Sequence, residues 1–342
     1  MAARHKAIAV LVAVAAACLA ATGASCAEEI TLYSTREAAL VAPVVAAFTE
    51  ASGVKVNVVF VEDRLVKRLA SEGVALPADV LLTIGLDKTT ELSARGLTQA
   101  ASSARIEQAV PANLRGGGAQ WLALAIRPRV VFARKGRALA AIDYEDLADP
   151  RWRGKLCMRS PLHQNNVALV AAYLVHHDEV TTQAWLAGLK ANLAHKPDGK
   201  DNDVIREIAQ GTCEIGIGNT VALAQLRDGR EGSDWRNWAA DVKAVPTTFR
   251  GGGTHVNLAG AAIAKHAPHP AEARQFLEFL VTPAAQRIFA AAELEYPVLA
   301  AAERAPIVAE MGSFNADALP VDEIAGAQNA AIALIKKAGF DE

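Results

Sequence analysis

Strand and helix patterns alternate from residue 29 to about residue 97, and this alternation constrains the fold more than any other feature of the sequence. Ile30 and Leu32 alternate with polar residues as in a half-buried strand, and apolar residues then recur at helical spacing between Leu40 and Phe48. Two further strands and helices are predicted before residue 97. The pattern therefore predicts a βαβαβ unit built on a parallel sheet.

The residues at the end of the first strand are the first candidates for a binding site. In open α/β folds, ligands lie at the carboxyl ends of strands, beside helix N-termini whose free N–H groups favour anions. Ser34 or Thr35 is predicted to cap the following helix, and Tyr33 and Arg36 flank this pair. A purely structural turn with a buried tyrosine is the alternative, and the sequence leaves both open.

The first 27 residues are typical of a cleavable export signal. Arg4 and Lys6 precede a long apolar run, and small residues precede Glu28. A lipid anchor at Cys26 is disfavoured because Gly23 occupies the position where a leucine is expected. No later run approaches the ~20 apolar residues that span a bilayer. The mature protein is therefore expected to be soluble and exported.

Size, charge and cysteine content restrict the function further. After removal of residues 1–27 the chain is long for one core and suits two lobes. The formal net charge of −2 argues against a nucleic-acid partner. Cys157 and Cys213 are then left as an even pair in an oxidising compartment, and we predict a disulfide between them.

The second half of the chain repeats the α/β pattern after a crossing near Arg127-Pro128-Arg129. A proline between two apolar runs suits a passage from one lobe to another. The predicted elements include a strand from 213 to 217 that leads into a helix capped at Asn219-Thr220, and a strand from 254 to 263 that returns the chain to the first lobe. A last amphipathic helix is predicted from about 323 to 338.

Several segments resemble the periplasmic ferric-iron-binding proteins of ABC importers, in collinear order over nearly the whole mature chain. These segments are Tyr33-Ser34-Thr35-Arg36, residues 77–83, residues 144–155, residues 217–220, Gly253-Thr254-His255-Val256-Asn257 and Glu295-Tyr296-Pro297-Val298. The cysteine pair also matches one branch of that family.

The resemblance implies a type II periplasmic binding protein, an α/β fold with two lobes. Each lobe would hold a mostly parallel sheet flanked by helices, with two crossing strands as the hinge. Residues 28–126 and 256–342 would form the first lobe and residues 127–255 the second. Such a protein is expected to act in the periplasm as a monomer, to close on its solute and to present it to an inner-membrane ABC permease.

The candidate site departs from the family pattern. Members of this family resemble one another in holding ferric iron with phenolate oxygens of several tyrosines. Those tyrosines fall at Tyr33, in the turn from Ser160 to Asn166, and as a pair after Thr220. Here only Tyr33 remains, because the turn has Asn165 at the expected position and the pair is replaced by Val221-Ala222. A bare ferric ion held by a tyrosine cluster is therefore not expected.

Two ligand hypotheses remain, and the sequence favours the first. A small anionic or polar organic solute would suit the polar side chains expected at the cleft, and no cofactor is then needed. Alternatively, transported Fe³⁺ or an iron chelate would be bound through an altered metal set of Tyr33, Glu37 and His163, with Asp87 as a further donor. The ligand-binding candidates are Tyr33, Ser34, Thr35, Arg36, Glu37, Ser160, His163, Gln164, Asn165, Asn219 and Thr220.

Other chemistry is disfavoured. The sequence contains no Ser/His/Asp spacing, metal-hydrolase motif or nucleotide loop, so an enzyme is not expected. Gly251-Gly252-Gly253 is interpreted as hinge flexibility, because no Lys-Ser or Lys-Thr follows it. The Cys157 and Cys213 pair lacks nearby cysteine or histidine residues in the sequence, which argues against a zinc site.

Overall fold

The structure is a computed structural model that describes residues 28–75 and 77–340. The predicted signal segment, with the possible anchor at Cys26, lies outside these residues. None of the described helices is both long enough and apolar enough to cross a membrane.

The secondary structure follows the predicted α/β order. The strands are β1 (Glu29–Ser34), β2 (Lys55–Phe60), β3 (Val80–Ile84), β4 (Thr98–Gln99), β5 (Leu122–Arg134), β6 (Ile142–Asp143), β7 (Leu156–Met158), β8 (Ile215–Asn219), β9 (Val242–Val245), β10 (Thr247–Thr248), β11 (Val256–Ala264) and β12 (Tyr296–Pro297). The helices are α1 (Ala38–Ser52), α2 (Leu65–Glu72), α3 (Leu86–Ala94), α4 (Ala104–Ala109), α5 (Gln164–His176), α6 (Glu179–Asn192), α7 (Asp201–Gln210), α8 (Thr220–Asp228), α9 (Ser233–Ala240), α10 (Pro270–Leu280), α11 (Pro283–Glu293), α12 (Pro306–Ala309) and α13 (Val321–Ala338).

The main sheet has the strand order β2-β1-β3-β11-β5-β8-β7, with β4, β9 and β12 paired to its central strands. Strands β1, β2 and β3 are mutually parallel, whereas β11 and β5 run antiparallel to their neighbours. Strand β7 is parallel to β8, which is antiparallel to β5. The prediction of mostly parallel sheets is therefore wrong, because β11 runs against β3 and β5 in the first half and β5 runs against β8 and β9 in the second.

Strand β5 joins the two halves of this sheet. Its first part pairs with β11 up to Pro128, and its second part pairs with β8 and β9 from Arg129 onward. Proline has no N–H to give to a ladder, so it suits the point where one set of partners ends. Beside it, the Arg129 N–H donates to the His255 carbonyl. The change of partner strands thus falls at Arg127-Pro128-Arg129, and the assignment of this point as the passage between two lobes stays a prediction.

Two apolar clusters hold the fold together. One contains β1, β3 and α1, and it extends under α5, α6 and α13. The other lies between α7, α8 and the second part of β5, and it includes the disulfide. Full burial of an apolar side chain of this size stabilises by about 1.5–3 kcal/mol, so these clusters fix where the polar ends of the strands and helices meet.

The C-terminal helix α13 contacts both halves of the molecule. Its body packs on α5 and α6, and it also touches α3. At its first turn, Asp322 accepts hydrogen bonds from the Trp121 indole at 3.2 Å and from the Gly117 N–H at 2.7 Å. The predicted assignment of residues 256–342 to the first lobe stays a prediction, and α13 is the part of it that packs most against the second half of the chain.

The predicted cap of α1 is wrong. The helix begins at Ala38 with Glu37 as N-cap, and no side chain caps it. The Ser34 hydroxyl instead accepts the Arg36 N–H at 2.9 Å, and the Thr35 hydroxyl accepts the Ile84 N–H at 2.9 Å. Both hydroxyls therefore stabilise the turn after β1 and not the helix that follows.

Candidate functional site

A buried arginine on β5 gathers polar groups from three helices. Arg129 is fully buried, and its guanidinium donates to Asp201 at 2.7 Å, to Asn219 at 3.3 Å and to Asn166. Asp201 is the first residue of α7, Asn219 precedes α8, and Asn166 lies in the first turn of α5. The N-termini of three helices thus converge at one point, and each favours negative charge.

A second guanidinium lies beside the same carboxylate. Arg159 approaches Asp201 to 3.9 Å, and its side chain is 19% exposed. Among the described residues, its buried Nε atom has no hydrogen-bond partner. Burial lowers the pKa of Arg159 below its ordinary value, Asp201 opposes this shift, and Arg129 adds to it. We name Arg129, Arg159 and Asp201 the second arginine cluster. Its two guanidiniums and one carboxylate leave a net charge of +1.

The first half of the molecule contains an equivalent set. Glu295 is buried and accepts hydrogen bonds from Arg36 at 2.7 Å and from Arg127 at 2.5 Å. Burial alone would raise the pKa of Glu295, but Arg127 and Arg36 lower it below its ordinary value. The Arg36 guanidinium also lies 4.3 Å from the centre of the Phe289 ring. We name Arg36, Arg127 and Glu295 the first arginine cluster.

The two clusters meet at the crossing between the halves. Arg127 and Arg129 are two residues apart on β5, so their side chains leave the same face of the strand. Asn257 of β11 is paired with Arg127 in register and donates to Asn219 at 3.2 Å. Four arginines thus share two carboxylates, which leaves a surplus of two positive charges in a largely buried setting.

The turn before α5 supplies the predicted polar groups in an ordered form. The Ser160 carbonyl accepts hydrogen bonds from the His163 N–H and the Asn166 amide, both at 3.0 Å. His163 is the N-cap, and its Nδ1 atom accepts the Asn165 N–H at 3.2 Å. The side chains of Ser160, His163, Gln164 and Asn165 are all partly exposed. This turn is therefore held in place beside the second arginine cluster.

The protonation state of His163 decides what it can bind. Burial lowers its pKa to about 4, Arg159 and Arg129 contribute in the same direction, and Asp201 opposes them. The imidazole is then neutral at neutral pH. Because Nδ1 accepts a backbone N–H, the proton is on Nε2, which makes His163 a hydrogen-bond donor. A donor suits a ligand oxygen, whereas a metal ion needs a free lone pair.

The residues predicted at the end of β1 lie mostly inside the protein. Tyr33 is only 3% exposed, and its ring lies beneath the Arg68 guanidinium of α2. Ser34 is buried, and Thr35 bonds to Ile84. Arg36 is 1% exposed and is paired with Glu295, so the structure makes it part of the framework. Glu37 is exposed on the surface.

The residues predicted before and at the start of α8 are buried against the second arginine cluster. Asn219 is 3% exposed and Thr220 is 1% exposed. The Asn219 N–H donates to Asp201 at 2.8 Å. Val221 and Ala222 occupy the first turn of α8 and are 9% and 6% exposed. They give this wall a small, apolar surface with no oxygen donor for a metal ion.

Gly85 brings the two halves into close approach. Its φ of +114° is open to glycine alone in practice, and a Cβ there would lie 2.5 Å from Asp87 Oδ1 and 3.3 Å from Gln164 Nε2. Asp87 belongs to α3 in the first half and Gln164 to α5 in the second. Burial raises the pKa of Asp87, while the Lys88 N–H and the Lys88 charge oppose this rise.

The other tyrosines have structural contacts. The Tyr144 hydroxyl donates to the Arg129 carbonyl and accepts the His255 N–H at 3.2 Å. Tyr173 stacks on Trp185 with 4.1 Å between ring centres. The Tyr296 hydroxyl lies 3.2 Å from the Val308 carbonyl. All three tyrosines are therefore engaged in contacts within the fold.

The predicted disulfide between Cys157 and Cys213 is confirmed. The expectation that this pair has no metal-binding neighbours is wrong, because the fold brings His195 and Glu207 beside it. Within residues 28–75 and 77–340, this is the one group of three or more His, Cys, Asp or Glu side chains at metal-binding spacing. Glu37 and His163 therefore gain no third donor of these types in the described part of the chain.

Sequence reasoning missed Arg129, Arg159 and Asp201. The sequence pattern identifies Arg129 only as part of the crossing at residues 127–129, and Arg159 directly precedes the predicted turn. A usable signal was present, since a charged residue in an otherwise apolar strand needs a buried partner. The partner itself, 72 residues away, could not be read from the pattern.

Comparison with known proteins gives the class of protein to which this fold belongs. It is a solute-binding protein. Residues 30–292 match the family model for bacterial extracellular solute-binding proteins. The chain belongs to this family of bacterial extracellular solute-binding proteins. The prediction that it is a binding protein and not an enzyme is thereby confirmed.

Three relatives show how far the similarity extends. A Bordetella ferric binding protein is 45% identical, with a TM-score of 0.89, and the match covers 92% of this chain and all of that one. The Trichodesmium IdiA (FutA) protein, solved with iron and citrate ligands, is 33% identical with a TM-score of 0.87, over 91% of this chain and 99% of that one. Iron uptake protein A1 of Synechocystis sp. is 34% identical over 92% of this chain and 88% of its own length.

Proposed function

We propose that this protein is the periplasmic receptor of an ABC importer and that its cargo is ferric iron carried as a carboxylate chelate. The sequence alone favours a small organic solute over iron, but the relatives named for iron uptake and for ferric binding support iron as the cargo. The relative solved with iron and citrate gives the chelate a chemical form. In such a complex, the chelator supplies oxygen ligands that this protein lacks.

The surplus positive charge of the two arginine clusters carries this proposal. A bare Fe³⁺ ion would be repelled by four guanidinium groups that share two carboxylates, and Asn165, Val221 and Ala222 offer no phenolate to offset that repulsion. An anionic chelate reverses the sign of the interaction. Its outer carboxylates match the planar fork of a guanidinium.

The second arginine cluster is the half of the site that binds the chelate. The Arg159 side chain is 19% exposed and lies 3.9 Å from Asp201, whereas Arg127 of the first cluster is bonded to Glu295 at 2.5 Å. The Nε2–H of His163 and the N-termini of α5 and α8 add donors for oxygen. We infer that Ser160, Gln164 and Asn165 complete this wall.

The remaining assignments follow from the same proposal. The lobes 28–126 with 256–342 and 127–255 would close by bending at β5, and Gln164 would meet Gly85 and Asp87 across the cleft. The closed, monomeric receptor would then dock on an inner-membrane permease. Tyr33 and Glu37 have no role in this account, since one lies in the core and the other on the surface.

Titration with defined ligands tests the proposal. Purified protein is titrated with ferric citrate, citrate alone and ferric nitrilotriacetate, with intrinsic tryptophan fluorescence as the readout. We expect ferric citrate to bind at least tenfold more tightly than citrate alone, at one equivalent per chain. Equal affinity for iron-free citrate would contradict the iron cargo and support the organic-solute alternative.

Transfer of iron from citrate to the protein is the outcome that would contradict a bound chelate. If native mass spectrometry after the titration shows protein with iron but without citrate, the protein itself supplies the ligands. That result would contradict the chelate and would restore the predicted metal set of Tyr33, Glu37 and His163. A mass equal to protein, iron and citrate together supports the proposal.

A further inference from the structure

The disulfide at the base of the second half has a histidine and a glutamate beside it. His195 Nε2 lies 3.5 Å from Cys157 Sγ and 3.1 Å from Glu207 Oε2. The three ligand atoms lie within 4.8 Å of one another. Cys213 is bonded to Cys157, so a second sulfur belongs to the same place.

These spacings fit the edges of a small coordination tetrahedron. With zinc bonds of about 2.3 Å to sulfur and about 2.0–2.1 Å to nitrogen and oxygen, neighbouring ligand atoms lie about 3.4–3.6 Å apart. The measured separations of 3.5 and 3.1 Å are close to these values. Small side-chain movements would therefore place one metal ion among Cys157, His195 and Glu207, and the Cys213 sulfur would turn toward it once the disulfide is reduced.

The histidine is also held in the orientation that a ligand needs. His195 Nδ1 lies 2.8 Å from the Lys196 carbonyl, so the proton on Nδ1 is donated to that oxygen. In the neutral imidazole, Nε2 then carries the free lone pair, as in many histidine ligands supported by a backbone carbonyl. Burial lowers the pKa of His195, but the Lys196 carbonyl and Glu207 raise it to a net value above its ordinary one.

We propose that reduction of the Cys157–Cys213 disulfide creates a site for one thiophilic divalent cation such as Zn²⁺, formed by both thiolates, His195 Nε2 and Glu207. A dithiol reductant transfers two electrons and two protons to the disulfide, and the dithiol becomes a disulfide itself. The metal ion then displaces the two thiol protons, which pass to solvent, and binds the lone pair of His195 Nε2. The intact disulfide excludes the metal, because its sulfurs carry no thiolate charge.

This site is separate from the proposed iron cleft. Glu207 lies six residues after Asp201 on α7, which is about 9 Å along the helix. His195 precedes α7, and neither it nor the cysteines contact the arginine clusters through a described hydrogen bond. Occupation of the metal site and binding of a ferric chelate are therefore distinguishable in one preparation.

Cobalt titration tests the site directly. The protein is reduced with a phosphine, freed of reductant by anaerobic gel filtration and titrated with Co²⁺, which reports thiolate ligands by a charge-transfer band in the near ultraviolet. We expect one equivalent per chain in the reduced protein, at least 100-fold tighter than in the oxidised protein, and displacement of cobalt by Zn²⁺.

Variants and a stability readout complete the test. His195→Ala and Glu207→Gln should each weaken cobalt binding at least tenfold, whereas His266→Ala, at an exposed histidine, should leave it unchanged. Zn²⁺ should raise the melting temperature of the reduced protein, which metal binding to an unfolded chain would not do. The proposal would be overturned if the oxidised protein bound cobalt as tightly as the reduced protein, if both variants bound it as tightly as the unchanged protein, or if Zn²⁺ did not raise the melting temperature.

Discussion

The two arginine clusters are built from the same parts but differ in what they leave available. Each places two guanidiniums on one buried carboxylate, and in each the fully buried arginine, Arg36 or Arg129, lies 2.7 Å from that carboxylate. In the first cluster, Arg127 completes the set by bonding Glu295 directly. In the second, Arg159 stays 3.9 Å from Asp201.

This difference teaches that a buried charge and a ligand site are not the same thing. Arg36 has its partner and a ring beneath it, so it stabilises the turn after β1. Arg159 is 19% exposed and lies 3.9 Å from Asp201, so its charge is accessible and less fully paired, whereas the Arg36 side chain is fully buried. A bound anion gains most from a charge in that condition. The predictions below separate these two roles, beginning with the largest effect.

Arg129→Met should give the largest loss of stability. It leaves Asp201 buried with only the more distant Arg159, and it removes the hydrogen bonds to Asn219 and Asn166. Breaking a buried pair in this way costs about 3–5 kcal/mol. Urea unfolding at pH 7.5 measures the change, and a loss below 1 kcal/mol would show that the network is not structural.

Arg36→Met should destabilise the protein less than Arg129→Met does, and it should leave the affinity for ferric citrate nearly unchanged. Arg127 continues to neutralise Glu295, so we expect a loss of about 2 kcal/mol in the free energy of unfolding. The affinity of the folded variant for ferric citrate should stay within twofold. A tenfold weaker affinity would erase the distinction between the two clusters and return Arg36 to the binding site.

Lower pH should destabilise the protein through the buried His255 at the crossing. Burial lowers the pKa of His255 to about 3, Arg129 contributes to this, and Asp317 opposes it. The unfolded chain binds a proton near pH 6.5, so the stability from His255 is complete above this pH and is lost as the pH falls. From pH 7 to pH 5 the loss is about 2 kcal/mol. His255→Gln should reduce the pH dependence of urea unfolding by that amount, and an unchanged slope would contradict it.

Arg159→Gln should weaken ferric citrate about tenfold with little loss of stability. The expected loss of about 1.4 kcal/mol is that of one charge-assisted hydrogen bond to the ligand. Arg105→Gln, at an exposed arginine, is the matched control and should bind as the unchanged protein does. If both variants bind alike in the fluorescence titration, Arg159 does not touch the cargo.

Tyr33→Phe and Glu37→Gln should have the smallest effects on binding. Tyr33 is 3% exposed beneath Arg68, and Glu37 lies on the surface. We expect each affinity for ferric citrate to change by less than twofold. A loss of tenfold or more in either variant would support the altered metal set that the sequence suggested.

The sequence predicted those parts of the fold that depend on neighbouring residues. Strand β3 was expected at 80–84 and lies there, because a short apolar run is bounded by a polar turn and by Gly85. The disulfide followed from the parity of two cysteines after export. Both predictions depended only on the types of residue and on their order along the sequence.

The candidate site could be predicted only in part, because its decisive contacts join distant residues. The predicted turn from Ser160 to Asn166 and the pair Asn219-Thr220 lie beside the second arginine cluster, and their role in binding a ligand stays a prediction. Arg36 was assigned to the ligand because Glu295, its partner, is 259 residues away. Likewise, nothing in the local pattern places His195 beside Cys157.

Diffraction at the iron absorption edge, from crystals grown with ferric citrate, tests the central claim most directly. The account predicts an iron peak in the cleft whose coordinating oxygens belong mainly to the chelate, with an outer carboxylate bonded to Arg159 and to the N-terminal turn of α5. Iron coordinated by Tyr33 and Glu37 without a chelate would contradict the account, and so would a cleft that holds the organic anion with no iron peak.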